Sequence, residues 1–294
     1  MPLPILAPLL ALLLLAPALQ AAQGPPLWKA RVDGATVYLL GTIHFGRPQM
    51  YPLSPGVEQA LREADVLVVE LDVRRDMLTM AGAMLQAGLY QGGRTLKDAL
   101  GPRDWKRLED HLSAMGMPPQ LFLPQKPWMV ALALTALELQ RQGFSEELGV
   151  ERYLLDKAGP TTRVVELESL EEQLELFERM GEEGQLAMLR ETLIQLQDDR
   201  TLERMLEAWR QGDGARLEGL MAEGFGPSAA GRRAHELMIT QRNRTMTRRL
   251  LELVEPGQTY LLAVGAGHLP GEEGIIAALR RRGYPVEREP QGPQ

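Results

Sequence analysis

The sequence predicts an α/β (or α+β) fold: a small, mostly parallel sheet built from strands near both ends of the chain, with a large helical insertion covering the strand C-terminal ends. Three observations lead there. Short apolar runs, the pattern of buried strands, concentrate towards the two ends. Between residues 73 and 255 the apolar spacing is mainly helical. Two of the strand-like runs also leave the sheet in the same way, Gly41-Thr42-Ile43-His44 and Gly265-Ala266-Gly267-His268. A chain of 294 residues, 45% hydrophobic and 24% charged, has enough apolar residues to bury a full core.

Residues 9–15 form a compact apolar stretch flanked by Pro8 and Pro17 and followed by small residues through Ala22. The stretch is too short for a membrane span and reads as the core of a signal peptide. Residues 1–22 are therefore expected to be removed, leaving residues 23–294 as an exported periplasmic or extracellular domain with no stable membrane span. The alternative is an uncleaved anchor. Residues 28–32 and 36–40 read as two strands around Asp33-Gly34, a strong hairpin signal. A helix over 55–64 begins with Pro in its first turn. Residues 65–70 (D-V-L-V-V-E) form an apolar run closed by a carboxylate, as expected of an interior parallel strand. The pattern over 77–144 is helical, with loops at Gly92-Gly93 and Pro118-Pro119. A helix is expected over 145–158 and a short strand over 162–166. Several amphipathic helices punctuated by glycines follow, over 169–255. A strand at 259–264, a helix at 272–282 and a strand near 285–288 complete the chain.

A net charge of −7 argues against nucleic acid as the main partner, because a phosphate backbone needs a basic face. Cysteine is absent, which excludes disulfides, thiolate metal sites and a cysteine nucleophile. There is no H-E-x-x-H, G-x-S-x-G, P-loop or G-x-G-x-x-G; Gly265-Ala266-Gly267 starts like a dinucleotide loop, but His268-Leu269-Pro270-Gly271 breaks that pattern.

The chemistry is expected at the strand exits. His44, Glu70, Glu166 and His268 each lie at or just beyond the carboxyl end of an apolar run. If the strands are parallel neighbours, the four groups converge on one crevice. A histidine at such a place is often an ordinary loop residue, but two in the same Gly-x-x-His context suggest a shared site. Two imidazoles with one or two carboxylates are the ligand set of Zn, Mn, Co or Fe(II). His44, Glu70 and His268 are the expected metal ligands. A carboxylate not bound to the ion, Glu70 or Glu166, is expected to take a proton from water. Arg242, on an arginine-rich helix beside Asn243, is either part of a salt-bridged surface or a group that binds a substrate carboxylate or carbonyl. His111 and His235 lie among charged residues and read as solvated.

These residues fall in segments that resemble the TraB/GumN family, which includes the TIKI metalloproteases and is distantly similar to ChaN and erythromycin-esterase-like proteins. The segments are L-W-K (27–29), Y-L-L-G-T-I-H (38–44), V-V-E-L-D (68–72), K-P-W (126–128), G-V-E-R-Y-L (149–154), Q-R-N-R-T-M (241–246) and V-G-A-G-H-L-P-G (264–271). They run in family order from residue 27 to the C-terminal region. The resemblance implies a divalent-metal-dependent hydrolase, proteolysis being the activity of the TIKI branch, with His44 and His268 as the paired histidines and Glu70 as the glutamate. Glu151 departs from the pattern, which leads one to expect an Asp in that segment, and no role is assigned to it. The expected protein is thus an exported hydrolase using Mn, Co or Zn to activate water against a peptide or small amide or ester. The alternative is a non-catalytic exported protein that binds a peptide in its Met-rich helical region, or haem.

Overall fold

A computed structural model describes residues 25–74, 77–198 and 200–290. The expected signal segment, residues 1–22, lies outside the described residues. The chain enters the sheet through the hairpin of β1 (Leu27–Val32) and β2 (Ala35–Thr42). Asp33 (φ 47°) and Gly34 (φ 86°) both take left-handed backbone there, as a tight two-residue hairpin turn demands. Helix α1 (Pro55–Glu63) crosses to β3 (Val66–Val69), whose four residues are all buried.

Helices α2 (Met77–Gly88), α3 (Leu96–Ala114), α4 (Pro127–Arg141) and α5 (Val150–Lys157) precede β4 (Arg163–Glu166). After β4 come α6 (Leu170–Gln195), α7 (Thr201–Gln211), α8 (Gly214–Glu223) and α9 (Ala229–His235). A π-helical turn, Glu236–Gln241, runs directly into α10 (Arg242–Leu253). The chain returns through β5 (Thr259–Gly265), α11 (Ile275–Arg281) and β6 (Val286–Arg288).

The strands stand in the order β4-β3-β5-β2-β1-β6. The first four are mutually parallel, and β1 is antiparallel to β2 and to β6. The strand formed last but one in sequence, β5, is therefore inserted between β2 and β3. The parallel strands stand in register: Thr42 lies opposite Gly265, Leu40 and Val69 opposite Ala263, and Val69 opposite Glu166 of β4. This places the ends of β2, β5 and β3 side by side, the position where parallel sheets bind ligands.

Alternation along the strands divides the core. Leu40, Leu67, Val69 and Ala263 pack with Val57, Leu154 and Trp209 from α1, α5 and α7. Leu39, Val68, Leu262 and Val264 pack on the other face with Met246 and Leu250 of α10 and Leu279 of α11. The helices of the insertion have a core of their own, centred on Leu108, Leu112, Leu134 and Leu189. Beside it the Trp128 and Phe177 rings stack 4.3 Å apart. Among the described residues no helix is long and apolar enough to cross a membrane.

Two expected helices start later than their sequence pattern. Residues 145–149 do not join α5, because Ser145 exchanges backbone hydrogen bonds with Gly46 (both 2.9 Å), and only a 3-10 turn, Glu146–Leu148, follows. Likewise α11 begins at Ile275 rather than at 272, after a turn closed by the Gly274 amide on the Gly271 carbonyl (3.2 Å).

Candidate active site at the ends of the central strands

Glu70 follows the fully buried β3 directly and is 5% exposed. Its main chain stays in the ladder, accepting the Glu168 amide at 2.9 Å. The carboxylate is held at both oxygens. Oε1 accepts the Gly265 amide at 2.6 Å, and Oε2 accepts a short hydrogen bond from Arg242 Nη2. Burial opposes a charge on Glu70, yet the charge of His268 when it is protonated, the Arg242 guanidinium and the Gly265 amide outweigh it and hold the carboxyl below the usual carboxylate range.

The two Gly-x-x-His loops touch each other where they leave the sheet. A Cβ on Gly41 would lie 2.9 Å from the Ala266 Cα, so only glycine permits that approach. The Gly41 carbonyl accepts the Trp209 indole N–H at 2.8 Å, which ties α7 to the first loop. His268 is buried beyond β5, and its Nδ1 lies 2.6 Å from Asn243 Oδ1. The Asn243 amide nitrogen donates to the Glu273 carbonyl at 2.9 Å, which leaves Oδ1 as the acceptor facing the ring. His268 therefore donates from Nδ1, and Nε2 keeps its lone pair. That atom stands 3.6 Å from Glu70 Oε1. Burial pushes the His268 pKa down to about 4, so the ring is neutral near pH 7.

Arg242 is 11% exposed and spans two carboxylates. Besides Glu70 it donates to Glu168, from Nε at 3.0 Å and from Nη2 at 2.7 Å. His44 is 60% exposed, with Nδ1 2.7 Å from the buried Glu151 carboxylate. Glu151 raises the His44 pKa, and the Glu70 and Arg242 charges also act on it, in opposite directions.

A profile of the TraB/PrgY/gumN family matches residues 26–288. The chain belongs to the TraB/PrgY/gumN family. It is 29% identical over 245 residues to the uncharacterized protein YbaP of Escherichia coli, covering 83% of this chain and 87% of that protein. It is 26% identical over 319 residues to the metalloprotease TIKI1 of Danio rerio, and 25% over 321 residues to the metalloprotease TIKI2 of Xenopus tropicalis. Those alignments take in 90% of this chain but 63% and 60% of the two metalloproteases. No solved structure matches.

In this TraB/PrgY/gumN chain, the residues expected from the sequence are brought together unequally. Glu70, His268 and Arg242 form one contact group. His44 reaches the same strand ends but is drawn to Glu151. Among the described residues no three His, Asp or Glu side chains stand close enough together to hold a metal ion as they are placed. Glu166 is not brought to the group. By strand alternation it falls on the face of Val164, and its Oε1 accepts the Asp72 amide at 2.7 Å. Glu168, two residues on, supplies the second buried carboxylate instead. Of the two expected readings of Arg242, a salt-bridged face or a group that binds a substrate carboxylate or carbonyl, the structure shows its ion pairs with Glu70 and Glu168.

Glu168 and Glu151 were assigned no role from the sequence. For Glu168 the signal was available in V-V-E-L-E, where one carboxylate ends the strand and the second follows it. For Glu151 nothing local points to His44, since the contact exists only because the Val150 amide docks on the Ile43 carbonyl at 2.9 Å.

Proposed function

We propose that this protein is an exported divalent-metal-dependent hydrolase, acting on peptides or on small amides or esters. One observation carries the reading: with Nδ1 engaged by Asn243, the His268 Nε2 is left facing the buried Glu70 carboxylate at 3.6 Å. Two acceptors facing each other in a buried place are unfavourable unless a cation or proton joins them.

The donor types suit a borderline ion such as Mn, Co or Zn, which His268 and Glu70 would hold and to which His44 would contribute its Nε2. Bound there, such an ion lowers the pKa of water and supplies a nucleophile near neutral pH. The protein's own groups have separate tasks. Asn243 keeps the His268 proton on Nδ1. Arg242 and the Gly265 amide fix the Glu70 carboxylate, and Glu168 holds Arg242 in turn. The hydrolase reading and export are supported by the resemblance to the TIKI metalloproteases and by the apolar N-terminal segment.

The test is metal content after dialysis against mixed Mn, Co and Zn, comparing wild type with the His44→Ala/His268→Ala double variant. The expected result is about one ion per chain, lost in the double variant, together with cleavage of a peptide library that depends on the same ion. Equal metal content in both proteins would refute the assignment. A second reading, a peptide binder without turnover, draws on α2, which carries no charged residue and leaves Leu78 83% exposed. Stoichiometric peptide binding without cleavage in the metal-loaded protein would favour it.

A further inference from the structure

Glu151 is 2% exposed, in the first turn of α5. Its Oε2 lies 2.7 Å from His44 Nδ1, while its Oε1 is buried with no hydrogen-bond partner among the described residues. A buried carboxylate with one oxygen unpartnered is costly, and an apolar side chain of similar size would avoid that cost. The contact with His44 is nevertheless held from several directions. The Val150 amide donates to the Ile43 carbonyl at 2.9 Å, and a Cβ on Gly149 would come within 2.4 Å of the His44 carbonyl oxygen. The first turn of α5 is thereby packed against the backbone of the first Gly-x-x-His loop. The His44 ring is otherwise open to solvent.

We infer that Glu151 is a positioning residue: it holds His44 through Nδ1 and leaves Nε2 as the nitrogen presented to the strand-end crevice. The inference rests on the proposed metal-dependent reading only for what Nε2 serves. It gives the two histidines the same arrangement by different means, since Asn243 engages Nδ1 of His268 and Glu151 engages Nδ1 of His44. Fixing one ring nitrogen so that the other can act as a ligand is the usual task of a group behind a metal-binding histidine. An acidic residue in a first helical turn also favours the helix. That effect requires neither burial nor a histidine, so it does not account for the contact.

The test uses the full-length protein with Glu151→Gln and Glu151→Met. The first keeps the volume and an acceptor oxygen; the second removes both acceptors and keeps the volume. Long-range proton–nitrogen NMR of the metal-free protein reads which nitrogen of His44 carries the proton. Above the His44 pKa, raised to about 9, Nδ1 should keep the proton in wild type, and Glu151→Met should shift the His44 ring nitrogens towards those of free histidine. Calorimetric titration with Mn, Co or Zn should then show affinity weakened by about 10–100-fold in Glu151→Met, and by less in Glu151→Gln. The melting temperature should stay within about 3 °C of wild type or rise. Unaltered His44 ring signals in both variants would overturn the inference. So would a lower melting temperature with unchanged metal affinity, since that is the behaviour of a purely structural acid. If wild type binds none of the three ions, the proposed function fails, and the ring signals of metal-free protein still decide the role of Glu151.

Discussion

Arg242 carries its charge between two buried carboxylates, and the energetic consequence is specific. Replacing it by alanine leaves Glu70 and Glu168 facing each other without a counter-charge, a loss of about 3–5 kcal/mol by analogy with broken buried ion pairs. Arg242→Lys should recover only part of this, because a single ammonium cannot span both carboxylates as the guanidinium fork does. Urea unfolding at neutral pH measures both; a change below about 1 kcal/mol for Arg242→Ala would contradict the network. Glu138 gives a pH-dependent case away from the site. Hydrogen bonds from Arg141, then Gln142, hold its carboxyl below the usual range although it is almost fully buried. Its folded-state pKa is depressed, so its stabilisation is present above the unfolded-state value of 4.5 and is lost as pH falls through the folded value. Glu138→Gln should therefore be less stable than wild type at pH 7, and the difference should shrink below pH 4.5. A gap in melting temperature that stays constant down to pH 3 would refute this.

At the scale of elements, the site depends on how closely the strand exits pack. Gly41→Ala inserts a methyl group 2.9 Å from the Ala266 Cα, a backbone atom that cannot turn aside as a flexible side chain can. Overpacking of this kind costs about 1–3 kcal/mol, and here it also separates the loops that carry His44 and His268. The expected result is a lower melting temperature together with weaker metal binding. Stability loss with undiminished metal binding would show that the two loops need not be in contact. The π-helical turn Glu236–Gln241 acts on the other side of the site. It delivers Arg242 to Glu70 and Glu168 and the next residue, Asn243, to His268. Irregular turns of this type recur at functional sites. The period of the arginine-rich stretch is that of an ordinary helix, so the turn is not visible in the sequence.

For the molecule as a whole, the order β4-β3-β5-β2-β1-β6 makes the C-terminal segment indispensable. Strand β5 pairs with β2 on one side and β3 on the other, so a chain ending at residue 256 loses the centre of its sheet along with His268. Such a truncation should show no cooperative unfolding transition by circular dichroism. A cooperative transition would mean that the remaining strands and helices form a core independent of β5. Much of this architecture was readable in advance. The apolar runs located all six strands, Asp33-Gly34 located the hairpin, and the repeated Gly-x-x-His motifs marked the ends of β2 and β5, because burial and turn geometry leave local traces in composition. Glu70 was legible for the same reason, as a carboxylate closing a fully apolar strand. The pairing of side chains was not. His44 with Glu151, Arg242 with Glu168 and His268 with Asn243 join residues far apart in the chain, and each pair depends on where a helix docks on the sheet. By itself the sequence determined which strands form and which residues stand at their exits. The tertiary structure alone decided that Glu168 rather than Glu166 faces Arg242: strand alternation would send both carboxylates to one face, but β4 ends at Glu166, and the turn beyond it and the docking of α10 bring Glu168 to the guanidinium.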